Sequence, residues 1–241
     1  LGGMTDDAAN SDIQPGWITA GIPAGRMELS WRRLLWRDVE IGAGNAVLSR
    51  IPGTGRMELA LNDSVAYGGV VRGKVTLDNS EGMRALNGTL RAIDVELGPF
   101  LATDRSGALP PLSGQASLEV KLFSVGGTER ELMQALNGTA ELIVRGGVLA
   151  MSDLVAGLAP EQGDKIAFQT LNGRFRIAQG VAMSDDLILR APGLSLVGKG
   201  QVDLADWTVD VNIGRLGGDD GPLKRFRVSG PALQVNVEAI N

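Results

Sequence analysis

The chain has no cysteine and no histidine among its 241 residues. Without cysteine there is no disulfide, no thiolate nucleophile and no thiolate metal site. Without histidine the commonest general base and the commonest metal ligand are both missing. An enzyme built on this chain would have to work with carboxylates, Lys, Ser or Tyr. Aromatic residues make up only 4% of the chain, so its 44% hydrophobic content is mostly Val, Leu, Ile and Ala, which suit pleated surfaces. The net charge is −5 and no basic stripe carries interleaved aromatics, so no nucleic acid partner is expected. No apolar run reaches the ~18 residues of a membrane span. No basic segment followed by an apolar one marks a signal peptide. The opening LGGMTDDAANSDIQPGW reads as part of something longer, with any targeting segment lying upstream.

What remains is rich in strand signals. With 21% charged residues and 34 glycines the composition is that of a folded chain. Its length allows one large β domain or two small ones. Residues 1–25, rich in Gly, Pro, Asp and Asn, read as a loose lead-in, and 26–241 as a β domain. GRMELS (25–30) and GRMELA (55–60) echo each other after an Ile-Pro turn signal. Between them, Trp31, Leu34, Leu35 and Trp36 fit a helical stripe. Val39, Ile41 and the glycines favour strands, and a strand pair is the preferred reading.

From residue 70 onward a period of two dominates. VVRGKVTLD (70–78) sets Val71, Val75 and Leu77 against Arg72, Lys74 and Thr76. QASLEVKL (115–122) sets Leu118, Val120 and Leu122 against Ser117, Glu119 and Lys121. The pattern continues through Leu142 and Val144, Leu187 and Leu189, and Leu194 and Leu196. Val209, Val211 and Ile213 follow, then Leu233, Val235 and Val237. Such alternation marks antiparallel strands with one wet and one dry face.

Leu-Asn-Gly occurs at 86–88, 136–138 and 171–173, each time followed by an alternating strand. The spacing is irregular, so this is a loose module. Asn-Gly reads as a tight turn requiring positive φ. Thr128 and Glu131 form a capping box for a short helix that Gly138 would end. Ser80 caps a second helix, and a third starts at Ser152 and stops before Pro160.

Few motifs carry chemistry. GLSLVGKG (193–200) nearly spells a phosphate-binding loop, but its residues alternate like a strand and no helix follows. Gly198 and Gly200 read instead as a bulge or a close approach. Asn-Gly-Thr at 87–89 and 137–139 matches a glycosylation acceptor, a motif frequent by chance. Asp185-Asp186 and Asp219-Asp220 lack the spacing of a calcium loop and read as solvated turn carboxylates. No nucleophile elbow, zinc helix or Ser-x-x-Lys motif is present. The dry face is either covered by a second sheet in a β-sandwich or left as a groove for apolar ligands.

Five segments in a fixed order carry a resemblance to a known family. They are VAYGGVVRGKVTLD (65–78), LNGTLRAIDVELGPFLA (86–102) and LSGQASLEVKLFSVGGTERELMQALNGTAELIVRGGVLAMSDL (112–154). LNGRFRIAQGVAMSDDLILRAPGLSLVGKGQVDL (171–204) and FRVSGPALQVNVE (226–238) complete the set. Together they resemble the C-terminal region of the bacterial AsmA-like proteins, relatives of the bridge-like lipid-transfer proteins. The resemblance implies a mainly β fold, with a curved antiparallel sheet and a few short helices. It implies a non-enzymatic periplasmic module, attached to the inner membrane through a segment absent from this chain. Phospholipid transport towards the outer membrane and outer-membrane biogenesis are the implied roles. No catalytic residue, metal or cofactor is expected. The expected partners are phospholipid acyl chains, lying on an apolar face made by Val75, Leu77, Leu118, Val120, Leu142, Val144, Leu187, Leu189, Val209 and Val211. The alternative is an assembly factor that meets envelope proteins through an edge strand.

Overall fold

Alternating apolar and polar side chains give every strand a wet face and a dry face, and the fold stacks these strands edge to edge. A computed structural model of the chain describes residues 24–36, 39–79, 83–101, 110–216, 225–231 and 235–240. β1 (Gly25–Trp31) is followed by a small hairpin of β2 (Leu34–Trp36) and β3 (Val39–Ile41), the strand pair expected there. The main sheet continues through β4 (Gly44–Arg50), β5 (Arg56–Ala66), β6 (Gly69–Asp78) and β7 (Arg84–Glu96). Then come β8 (Gln115–Gly126), β9 (Asn137–Leu149), β10 (Ile166–Ala178), β11 (Val181–Ala191) and β12 (Leu194–Asp203). β13 (Thr208–Arg215), β14 (Arg225–Pro231) and β15 (Asn236–Ile240) complete it. Among the described residues these form one antiparallel sheet of 13 strands in the order β1-β4-β5 and then sequentially to β15. It is an open, curled sheet with no second large sheet covering it, so the sandwich alternative is excluded. The expected lead-in, residues 1–25, lies outside the described residues up to residue 23, and β1 starts at Gly25.

Three short helices are described. α1 (Leu97–Leu101) follows β7, α2 (Glu129–Gln134) follows β8, and α3 (Ser152–Leu158) follows β9. α1 was not expected from the sequence, because LGPFL continues an apolar strand run. α2 carries the expected capping box: Glu131 N–H donates to Thr128 Oγ1 at 3.2 Å, and the Glu131 carboxylate accepts from Thr128 N–H at 3.3 Å. It ends at Ala135, not at Gly138, which already lies in β9. α3 spans the expected residues, and a 3₁₀ turn begins at Pro160. The short helix expected in SEGMRALNG, capped by Ser80, is corrected in its later part, where Arg84 to Leu86 already belong to β7; residues 80–82 lie outside the described residues.

Two readings of short motifs are corrected. The three Leu-Asn-Gly units are not turns. Two lie inside β7 and β10, and the third runs from the residue before β9 into that strand. Two of these glycines accommodate a close approach within the sheet. A Cβ at Gly138 would overlap the Lys121 carbonyl, and one at Gly173 would overlap the Leu187 side chain. Nor do Asp185 and Asp186 sit in a turn. They form a bulge within β11, where Ser184 to Leu187 spans one residue more than Gly200 to Gly198 opposite. Similar bulges fall at Asn62–Asp63 in β5 and at Ile93–Asp94 in β7. A bulge bends its strand and increases the local twist, so three of them help the sheet to curl. Asp219-Asp220 lies outside the described residues.

α3 shows how far the curl goes. It leaves the end of β9, yet it touches β14 and β15. In a flat sheet those strands would be about 24 Å or more from β9, at about 4.8 Å per strand. A helix of 7 residues spans only about 10 Å. The sheet therefore wraps around α3, and Leu154, Val155 and Leu158 form one core with Val144, Leu189, Leu196, Phe226 and Val228. The fit is close: a Cβ on Gly157 would fall inside the Phe226 ring. At the other end of these strands Leu136, just after α2, packs on Ile177 and Ala182.

If this half is closed and the other open, two Leu→Ala changes should differ. Leu154→Ala, at 0% exposure, should cost about 2–5 kcal/mol in urea unfolding. Leu59→Ala, at 41%, should cost less than about 1 kcal/mol. Equal losses would contradict this division of the sheet.

Candidate functional site

Residues directly opposite in an antiparallel ladder share a face, so the register fixes which side chains lie together. One row runs Leu59, Val75, Gly88, Leu122, Gly138, Ile177, Ala182, Val202 and Val209. Its neighbour runs Leu61, Gly73, Leu90, Val120, Ala140 and Phe175. Next to that lie Ala92, Leu118, Leu142 and Gly173. On the same face beyond the β11 bulge are Leu187, Gly198, Ile213 and Phe226. Val211 and Val228 pair on this face, as do Leu77 and Leu86. The face is thus apolar across all 13 strands, reaching β1 through Met27 and Leu29, with glycine and alanine making room beside larger side chains.

All ten residues expected on the apolar face lie on this one side. Their environments differ. Val144 and Leu189, at 0% and 6% exposure, are buried with α3 and belong to the core. They are therefore corrected from lining to packing residues. Leu77, Leu118, Val120, Leu142, Leu187, Val209 and Val211 are half-buried. Val75, at 39%, stands open. Around it Met27, Leu29, Leu59 and Leu90 are 38–41% exposed, so the dry face of β1 and β4–β7 is an uncovered trough. Ala46, Met57, Ser64, Ala66 and Val95 are buried exceptions on the same face. Sequence reasoning put none of Met27, Leu29, Leu59 and Leu90 on the face. The signal was present in the Met-x-Leu alternation of both GRMEL echoes.

Trp31 borders the trough at one end of β1. Its indole N–H donates to the Gly42 carbonyl at 2.9 Å, and its ring lies where a Cβ on Gly44 would sit. The fully buried Ser64 occupies the same notch, its hydroxyl donating to the Asn62 carbonyl at 2.9 Å. α2 covers the end of β8, where buried Ser124 donates to the Leu132 carbonyl at 2.6 Å. Within the core itself no polar side chain is left unsatisfied among the described residues.

The opposite face is wet and laced with ion pairs. Lys74 meets Glu58 at 2.8 Å and Lys121 meets Glu119 at 3.4 Å. In the β11 bulge, Asp186 accepts from Arg174 N–H at 2.8 Å, from Arg174 Nε at 2.7 Å and from Ser184 Oγ at 3.2 Å. The backbone bond from Arg174 leads the effects that hold this carboxyl below its ordinary range. Arg227 binds Asp210 through two bonds of 2.7 and 2.8 Å, which lower that carboxyl likewise. Exposed pairs such as these contribute little each, but they fix which face stays wet. Among the described residues no cluster of acidic side chains could hold a metal ion, and no helix is long and apolar enough to cross a membrane. Comparison with family models, with curated proteins and with solved structures gives no match.

The two lowered carboxyls set a pH response. A group whose pKa falls on folding contributes stability above its unfolded value and loses it as pH drops through the folded one. Stability should be complete above the ordinary value of 3.8 and decline below it. The double variant Asp186→Asn, Asp210→Asn should show a shallower decline in denaturant midpoint on acidification. An unchanged slope would remove these pairs from the balance.

Proposed function

We propose that this chain is a non-enzymatic lipid-handling module of a bacterial cell envelope, in which the open trough shelters phospholipid acyl chains. The observation that carries this reading is the uncovered apolar face of β1 and β4–β7, continuous with the face that α3 seals in the other half of the sheet. An acyl chain costs about 0.8 kcal/mol per methylene in water, so one of about sixteen carbons costs on the order of 12 kcal/mol. A trough of branched aliphatics removes most of that cost and offers no hydrogen-bonding group to hold a tail in one place. Small ligands are usually gripped by a few polar groups in an apolar pocket. Here Val75, Leu59, Leu90 and Met27 supply the apolar wall alone, which suits a ligand that slides.

The resemblance to the AsmA-like proteins supports the same reading. With it come a periplasmic location, attachment to the inner membrane in the full-length protein, and a part in phospholipid transport to the outer membrane. A second reading is favoured by β1, whose residues are solvent-exposed up to Trp31 and whose outer edge is unpaired among the described residues. That edge contains neither proline nor a bulge, the usual guards against strand addition. An envelope protein could be recruited there.

Native mass spectrometry of the folded protein should find copurified phospholipid, and a fluorescent phospholipid should transfer into it. Val75→Glu and Leu59→Glu should each cut loading at least several-fold, as expected for a charge placed against hydrocarbon, while far-UV circular dichroism stays unchanged. Folded protein that neither carries nor accepts lipid would defeat the carrier reading. A cross-link to a protein along β1 would then favour the second.

A further inference from the structure

The duplicated Asn-Gly-Thr tripeptides at 87–89 and 137–139 do not serve as turns, and while their central glycines belong to the apolar face, their Asn and Thr residues lie on the other. The register brings them together on the wet face, one on each side of β8. Asn87 and Asn137 lie directly opposite Phe123 from its two flanks, and Thr89 and Thr139 lie likewise opposite Lys121. Segments fifty residues apart in sequence thus build one tile of amides and hydroxyls around a single aromatic ring. The ring is 54% exposed, in the middle of a polar face. A depression of about 410 Å³ lies over this tile, bounded also by Lys74 and Thr76.

We propose that this tile is a binding site for an uncharged oligosaccharide, with one sugar ring stacked on Phe123. The chemistry matches on three counts. An aromatic ring without a polar group offers a flat apolar platform for the C–H face of a pyranose, and Val125, 47% exposed on the same face, extends it. Amide and hydroxyl side chains both donate and accept, as sugar hydroxyls do. The side chains of Asn87, Thr89 and Thr139 make no hydrogen bond among the described residues, so their capacity is unspent. Asn137 is different: it donates to the Ala135 carbonyl at 2.6 Å and accepts from Gln179 N–H at 3.4 Å. It holds the strand entry and frames the tile. The cations do not ask for an acidic ligand, because Lys74 and Lys121 are already paired with Glu58 and Glu119. A protein partner would need a wider apolar patch than one ring and one valine.

The site lies on the face opposite the trough and does not depend on the lipid reading. Saturation-transfer NMR of the full chain with chitotetraose, cellotetraose and maltotetraose tests it. At least one should bind, with the strongest transfer to ring C–H protons. Phe123→Leu keeps apolar area but loses the ring, and should weaken binding about tenfold. Phe123→Tyr should retain it. Asn87→Ala should weaken binding roughly three- to tenfold, as for one lost hydrogen bond, with phospholipid loading unchanged throughout. If none of the three sugars binds, the proposal fails. It fails equally if Phe123→Leu binds as well as the parent, because the patch is then a plain apolar contact. Phe123→Tyr and Asn87→Ala keep the test decisive even if the leucine variant does not fold.

Discussion

The structure depends on one constraint: a sheet with a dry face must cover that face or leave it for something else to cover. Here the chain covers half. From β8 to β15 the sheet curls until β14 and β15 reach α3, and the aliphatic face closes on Leu154, Val155 and Leu158. From β1 to β7 nothing in the described residues does the same. The two halves have the same alternation and much the same composition, yet one is a core and the other an open surface.

That contrast gives the trough its meaning. Large exposed apolar areas are rare on soluble proteins and mark interaction sites. This one is continuous with a core, so its side chains stand in the order that packing would require. The wet face shows the opposite economy. Its ion pairs are exposed, weak and numerous, and several of them, such as Lys74–Glu58, Arg174–Asp186 and Arg227–Asp210, join neighbouring strands and help to keep them in register. A register slip of one residue would turn every leucine outward, so these pairs and the alternation act together to hold the dry side dry.

Glycine links the two faces. In the Leu-Asn-Gly units it looks like a turn signal, because Asn-Gly so often is one. Inside strands its value is the missing Cβ. At Gly138 and Gly173 it lets a neighbouring backbone or leucine approach. At Gly157 the same property lets the helix settle on Phe226. Local sequence cannot tell these uses apart, because both need only a small residue beside an asparagine or within an apolar run.

The sequence by itself determined the alternating strands from residue 70 onward and the side their aliphatic residues face, together with the capping box of α2 and the limits of α3. These are local matters of period, cap and proline. It also placed all ten chosen aliphatics on one face, because period-two alternation survives any arrangement of strands. Only the tertiary structure decided that Val144 and Leu189 are core while Val75, Leu59 and Met27 are open. That choice rests on the curl, which sums small bends over many strands and three bulges. It also required the fold to set two Asn-Gly-Thr copies beside Phe123, since which strands become neighbours is a property of the whole sheet and not of any segment in it.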